Sequence, residues 1–227
     1  MIKWLLMLIA ILVVFGCARH DENAEAENGA VNSEQKGKGM QAIKEEEKEV
    51  DQYINNPQAP DTRSLKEIGD TYEDEDGKVT LVASTDDSKR LEIGPIELTY
   101  KNLKVMEYRP ALHLIDYFHQ FTHHEDRFNY LKLQVKIQNK SEQTINVAPV
   151  SVLETSEGEL KGFEDDFYLQ ELHGKLSPGQ VKTGELAYIL EKSDPEQLNS
   201  ISITTSDVYE DNKQQAIEKG KKVELAF

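Results

Sequence analysis

Leu131-Lys132-Leu133-Gln134-Val135-Lys136-Ile137-Gln138-Asn139 decides the fold class. Apolar and polar side chains alternate along it without a break. In an extended chain successive side chains point to opposite faces, so this stretch has one oily face and one wet face. That is a half-buried β-strand. Working outward, Asn139-Lys140-Ser141 reads as a turn and Thr144 to Val147 starts the next strand. Val150 to Thr155 follows, then a turn at Glu157-Gly158. In Leu176-Ser177-Pro178-Gly179 the proline presets φ and the glycine is free to take positive φ, which makes another turn. Val181 to Leu190, Ile201 to Thr205 and Val223 to Phe227 read as strands. Upstream, Val79 to Ala83, Leu91 to Ile93, Ile96 to Met106 and Ala111 to Tyr117 have the same texture. Short strands with turn signals at intervals of about eight to twelve residues predict an all-β sandwich or barrel. Asp207 to Lys219 is the one late segment that reads as a short helix.

The whole chain has 227 residues, 42 of them acidic and 26 basic, for a formal charge of −16. So acidic a chain does not grip nucleic acid by neutralising phosphates. Nor does it suit docking onto anionic lipid through basic side chains. The single cysteine excludes an internal disulfide framework and any cysteine-rich zinc module.

That cysteine has a telling place. Met1-Ile2-Lys3 is a minimal basic head, and Trp4 to Phe15 is an unbroken apolar run. As a helix the run rises only about 18 Å, against roughly 30 Å of hydrocarbon core. It is too short for a permanent span and right for the hydrophobic part of a signal peptide. It ends in Val14-Phe15-Gly16-Cys17, which resembles the lipobox of bacterial lipoproteins, with Phe15 bulkier than usual. The resemblance implies a signal peptide over residues 1–16 and diacylglycerol on the Cys17 thiol. Two or three acyl chains, at about 0.8 kcal/mol per buried CH₂, hold far better than one. The expected mature protein is therefore tethered to the cell membrane on its extracytoplasmic side. Ala18 lacks the Asp that often retains such proteins at a Gram-negative inner membrane, and the Lys/Glu-rich texture points to a Gram-positive source.

Residues 17–61 carry few large apolar side chains and cannot bury enough surface to offset chain entropy. They read as a disordered acidic stalk, spanning on the order of 35–40 Å as a flexible coil. Within it Gln41 to Ile54 has Glu/Lys pairs at helical spacing but too thin an apolar stripe for a stable helix. Pro57 and Pro60 mark the boundary, and the β domain is expected over 62–227.

Inside that domain, a strand ending in Asn139, a Glu157-Gly158 turn, Leu176-Ser-Pro-Gly179 and Gly184-Glu-Leu186 come in a recognisable order. The order resembles the telokin-like, immunoglobulin-like domain of unknown function found in bacterial lipoproteins. The resemblance covers residues 96–205 and lapses at His119 to Arg127, a longer polar insertion. It implies an immunoglobulin-like β-sandwich at the cell surface and brings no catalytic residues.

The residues carry little enzyme chemistry of their own. There is no Gly-x-Ser-x-Gly, and no Gly-rich stretch stands before Lys-Ser or Lys-Thr at phosphate-loop spacing. Tyr72-Glu-Asp-Glu-Asp-Gly77 fails as a calcium loop, because Tyr72 and Ala83 fall where oxygen ligands belong. It reads as an acidic turn. Four of the six histidines lie between His113 and His124. If the insertion is helical, His119 and His123 share one face, and with His124 and an Asp oxygen they form a candidate zinc or copper site. Tyr108, Tyr117, Phe118, Phe121, Phe128 and Tyr130 bracket the same insertion as core or, if exposed together, as a protein-contact patch. The expected function is non-catalytic binding or contact with an extracytoplasmic protein, through loops that include His113 to Arg127. No cofactor is expected under that reading, and the alternative is an extracytoplasmic zinc or copper binder.

Overall fold

Phe128–Asn139 forms the twelve-residue strand at the centre of the largest sheet. The computed structural model describes Asn56, residues 58–211 and residues 213–227, all inside one contact unit, Lys48–Phe227. The strands in chain order are β1 (Thr71–Asp74), β2 (Gly77–Thr85), β3 (Lys89–Ile93) and β4 (Ile96–Pro110). A short helical passage, Leu112–Leu114 and α1 (Ile115–Phe118), leads to β5 (Phe128–Asn139). Then come β6 (Ile145–Val147), β7 (Val152–Thr155), β8 (Leu160–Gly162), β9 (Gly174–Leu176) and β10 (Val181–Leu190). The last are β11 (Ser200–Thr204), β12 (Val208–Glu210), β13 (Ala216–Glu218) and β14 (Lys222–Ala226).

The large sheet runs β1-β2-β4-β5-β10, with β3 also paired to β4. Two four-stranded sheets, β14-β11-β7-β8 and β13-β12-β6-β9, supply the opposing layer. The pairs are antiparallel. Leu131, Leu133, Val135 and Ile137 of β5 bury against Val147, Leu153, Ile201 and Leu225 from that layer. The expected all-β sandwich is what the chain forms.

A second hydrophobic core lies apart from the sandwich core. Phe128 and Tyr130, on the other face of β5, pack with Tyr108, Phe118, Phe167 and Tyr168. Their rings meet edge to face, as in Tyr108–Phe118 at 5.6 Å and Tyr130–Phe167 at 5.3 Å, the arrangement that the ring quadrupoles favour. The bracketing aromatics are therefore core, with Tyr117 and Phe121 packed at its margin, and the contact-patch alternative falls away.

A bulge in β4 lets one strand feed both cores. Lys101 stands opposite Gln134 and Lys104 opposite Lys132, so Asn102 and Leu103 face a single residue of β5. Asn102 takes φ 54°, a left-handed conformation that Asn tolerates better than most side chains. The extra residue reverses the parity of the strand. Leu98 and Tyr100 enter the sandwich core before the bulge, Leu103 and Val105 after it. Met106 and Tyr108 thereby turn to the second core, and Lys104 to the same face.

Three expectations are corrected. Ala111 to Tyr117 is no strand, because the buried side chains there are Leu114 and Phe118, at helical spacing. Asp207 to Lys219 is no helix: Tyr209 and Glu210 pair with Asn146 and Ile145 of β6, and β13 folds back on β12. A waiting strand edge outweighs the weak local preference. The packed domain also begins before residue 62, since Ala59 is only 2% exposed and Gln58 O accepts the Tyr108 hydroxyl at 3.0 Å. Cys17, the apolar run before it, the Gln41 to Ile54 segment and the rest of the stalk except Asn56 and residues 58–61 lie outside the described residues.

Asn139 ties the end of β5 to the turn before β10. Its side chain is fully buried. Nδ2 donates to Gln143 O at 2.7 Å and to Leu176 O and Ser177 O at 3.1 Å. Oδ1 accepts from Ser141 N and Ser141 Oγ at 2.9 and 2.8 Å. Asn139→Ala strands several buried carbonyls and is expected to cost about 2–4 kcal/mol in urea unfolding. A loss below about 0.5 kcal/mol contradicts this role.

Candidate functional site

The wet face of β5 is not uniformly wet. Lys132 and Gln134 are 3% and 8% exposed. They floor a pocket of about 410 Å³, within the size range of small-molecule sites. The pocket continues the face that carries the second core, so along β5 the sequence Phe128, Tyr130, Lys132, Gln134 runs from aromatic packing into polar floor.

Each wall has a structural cause. From β5, Lys132 Nζ pairs with Glu185 Oε1 of β10 at 2.5 Å, with the Lys side chain 4% exposed. A charge this deep needs its partner, since removing one member of such a pair costs about 3–5 kcal/mol. From β4, the bulge aims Asn102 Nδ2 at Gln134 Oε1, 2.6 Å away. It also sets Lys104 directly across from Lys132. Lys104 Nζ donates to Thr62 O at 2.8 Å and Leu65 O at 2.7 Å, which holds the 62–66 segment against the sheet. Burial, then the like charges of Lys132 and Lys66, bring the Lys104 ammonium down to about 8. Arg63, paired with Asp61 at 2.7 Å, and exposed Lys66 stand at the rim.

The last wall is the segment from Asp166 to Leu172. Asp166 Oδ1 accepts Tyr168 N at 3.1 Å and Ala187 N at 2.8 Å, which fastens the segment to β10. Gln170 then lies over Gly184, and its Oε1 accepts Glu185 N at 2.8 Å. A Cβ at Gly184 would sit 2.7 Å from that same oxygen, so glycine is what admits the approach. Leu169 and Glu171, on either side of Gln170, both hold left-handed backbone, φ 55° and 50°. Such strain persists only where the surroundings impose it, at about 1–3 kcal/mol per residue.

The histidines come together only in part. His119 and His123 have ring centroids 6.4 Å apart, and His119 Nδ1 lies 2.5 Å from Glu125 Oε1. His124 instead borders a second, more open hollow with Arg127 and Lys192. Among the described residues, no group of three or more His, Cys, Asp or Glu side chains is set to hold a metal ion. No described helix is long and apolar enough to cross a membrane. Sequence reasoning missed the polar pocket. Its residues come from six separate segments, and Lys132 and Gln134 look like ordinary solvated positions in an alternating strand.

The molecule is thus an all-β sandwich with a polar pocket on the outer face of its large sheet. No protein-family model matches the chain. It is 33% identical over 235 aligned positions to the uncharacterized protein YdhF of Bacillus subtilis (strain 168), covering 97% of this chain and 98% of that one. The chain belongs to the family of that protein. Among solved structures, a functionally unknown protein from Listeria monocytogenes EGD-e aligns with a TM-score of 0.48 and 14% identity, over 66% of this chain and 87% of that one. The yjhA protein of Bacillus subtilis aligns at a TM-score of 0.30 and 15% identity, over 70% of this chain and 98% of that one.

Burial pushes the Asp166 carboxyl up from 3.8 to about 6, against the pull of its backbone N–H donors. The folded state therefore holds this proton more tightly than the unfolded chain. Asp166 adds stability as pH falls from about 6 to 4 and withdraws it as pH rises. Asp166→Asn keeps an oxygen acceptor and carries no charge. The variant is expected to be more stable than wild type at pH 7 by about 2–3 kcal/mol, with the gap closing by pH 4. Urea unfolding across that range reads it, and a gap that does not change with pH contradicts it.

Proposed function

We propose that this protein is a lipid-anchored, extracytoplasmic binding protein that works without turnover. The observation that carries the binding half is the pocket over Lys132 and Gln134. Lys132 is held there by an ion pair and Lys104 by backbone hydrogen bonds, an arrangement suited to holding a polar molecule still. Support for the anchor comes from Val14-Phe15-Gly16-Cys17 at the end of an apolar run too short to span a bilayer. In this reading Cys17 bears the lipid, the acidic segment is a stalk, and kinship with the telokin-like domains of bacterial lipoproteins explains the order of turns. An extracytoplasmic protein meeting the His113 to Arg127 segment belongs to the same proposal.

Labelled palmitate fed to cells is expected to enter the wild-type chain and to be absent from Cys17→Ser, which should also leave the membrane fraction. Unlabelled wild-type protein that keeps Met1 in the cytosol would overturn the anchor.

A second reading rests on His119 and His123, whose ring centroids lie 6.4 Å apart, although among the described residues they complete no preset group of three ligands. In it these side chains hold zinc or copper outside the cytoplasmic membrane. Calorimetric titration with zinc would then give tight one-to-one binding that His119→Ala with His123→Ala abolishes. No heat of binding at micromolar zinc disposes of it.

A further inference from the structure

Two ammonium groups at the pocket have no carboxylate of their own. Arg63 is matched by Asp61 and Lys132 by Glu185. Lys66 and Lys104 border the same hollow and make no ion pair among the described residues. Lys104 gives two of its three N–H groups to Thr62 O and Leu65 O, which leaves one. Lys104 and Lys132 stand directly opposite on neighbouring strands, and like charges so placed repel. In a chain with a formal charge of −16, this concentration of cations runs against the composition.

The amide of Gln170 adds an independent observation. Its oxygen is taken by Glu185 N, while its Nε2 is buried with no hydrogen-bond partner among the described residues. A buried donor without an acceptor is costly, and the segment that presents it is held in place by two residues with left-handed backbone. The lining thus offers Lys66, the spare proton of Lys104 and an unused amide donor. All three lack an acceptor of the same kind, an oxygen carrying negative charge.

We propose that the pocket binds a small molecule through an oxyanion group, a carboxylate or a phosphate, received by Lys66, Lys104 and the Gln170 amide. This rests on the binding reading above and gives it a ligand chemistry. Such a group supplies acceptors to all three donors and screens the repulsion between Lys104 and Lys132. The rest of the ligand is limited by the two carboxylates of the lining. Glu185 is neutralised by Lys132, and exposed Asp86 stands at the rim as an acceptor. The far end of the ligand is therefore better served by hydroxyl or amine groups than by further negative charge.

The test uses the full chain in nonionic detergent, at fixed ionic strength, by calorimetry and thermal melting. The probes are inorganic phosphate and succinate, with chloride as the salt control and glucose as the neutral arm. Saturable one-to-one binding of phosphate or succinate is expected, and which of the two binds separates the phosphate from the carboxylate. Gln170→Glu keeps the acceptor for Glu185 N and places negative charge in the pocket, and Lys66→Glu does so at the rim. Each should weaken anion binding at least tenfold, and Lys66→Glu, at an exposed side chain, should leave the unliganded melting temperature unchanged. Equal affinity in both variants, or an equal response to chloride, overturns the proposal. Glucose binding that Gln170→Glu weakens, with no anion binding, overturns the oxyanion and keeps the binding reading. No saturable binding by any probe takes down both.

Discussion

Period two along Phe128–Asn139 is the constraint from which the rest of the molecule follows. A strand offers two faces, and this one uses each for a different purpose. Leu131 to Ile137 fill the sandwich core. Phe128 and Tyr130 fill a second core on the opposite side, and Lys132 and Gln134 continue that face as the floor of the pocket. A register slip of one residue would send the ammonium of Lys132 into the sandwich core and Leu131 out of it. The neighbouring strand meets this demand with a bulge. At Asn102–Leu103 β4 changes parity, so that Leu98, Tyr100, Leu103 and Val105 all reach the sandwich while Lys104 joins Lys132.

Two buried carboxylates show how the same forces give opposite results. Glu159 and Asp166 both lose water on burial, and both accept backbone N–H groups. Glu159 takes those of Glu191, Lys192 and Ser193 and also has Lys161 at 3.0 Å. Burial raises its pKa, but these partners outweigh burial and hold the carboxyl down at about 2. Asp166 has N–H donors and no paired cation among the described residues, so burial wins and the carboxyl rises to about 6. Asp166 is the more deeply desolvated of the two, while Glu159 adds Lys161 and Ser193 to its backbone N–H donors. Around the pocket Lys132 is paired with Glu185, whereas Lys104 donates to the carbonyl oxygens of Thr62 and Leu65.

Much of the fold could be read from residues. Val181–Leu190 has the bounds that its sequence pattern indicates, and the long strands β2, β4, β5 and β11 appear close to where alternation places them. Three-residue strands such as β8, β9, β12 and β13 escape, because three residues carry no periodicity, and β9 and β12 also pair with the distant β6. Leu112 to Phe118 misleads in the other direction. Apolar residues there recur at spacings that fit either a strand or a helix, and only the burial of Leu114 and Phe118 separates them. The order of Asn139 and Leu176-Ser-Pro-Gly179 is legible as a pattern, and its meaning is a side chain that satisfies the carbonyls of that turn.

By itself the sequence determined the class of fold, the position of the central strand and the acidic composition that argues against a nucleic-acid-binding surface. It could do so because side-chain alternation and net charge are properties of the linear chain. The tertiary structure decided where the wet face becomes a pocket. Arg63, Lys66, Lys104, Lys132, Gln170 and Glu185 share nothing along the chain. Strand register, one bulge and a strained segment bring them together, and these depend on long-range pairing that no local pattern encodes.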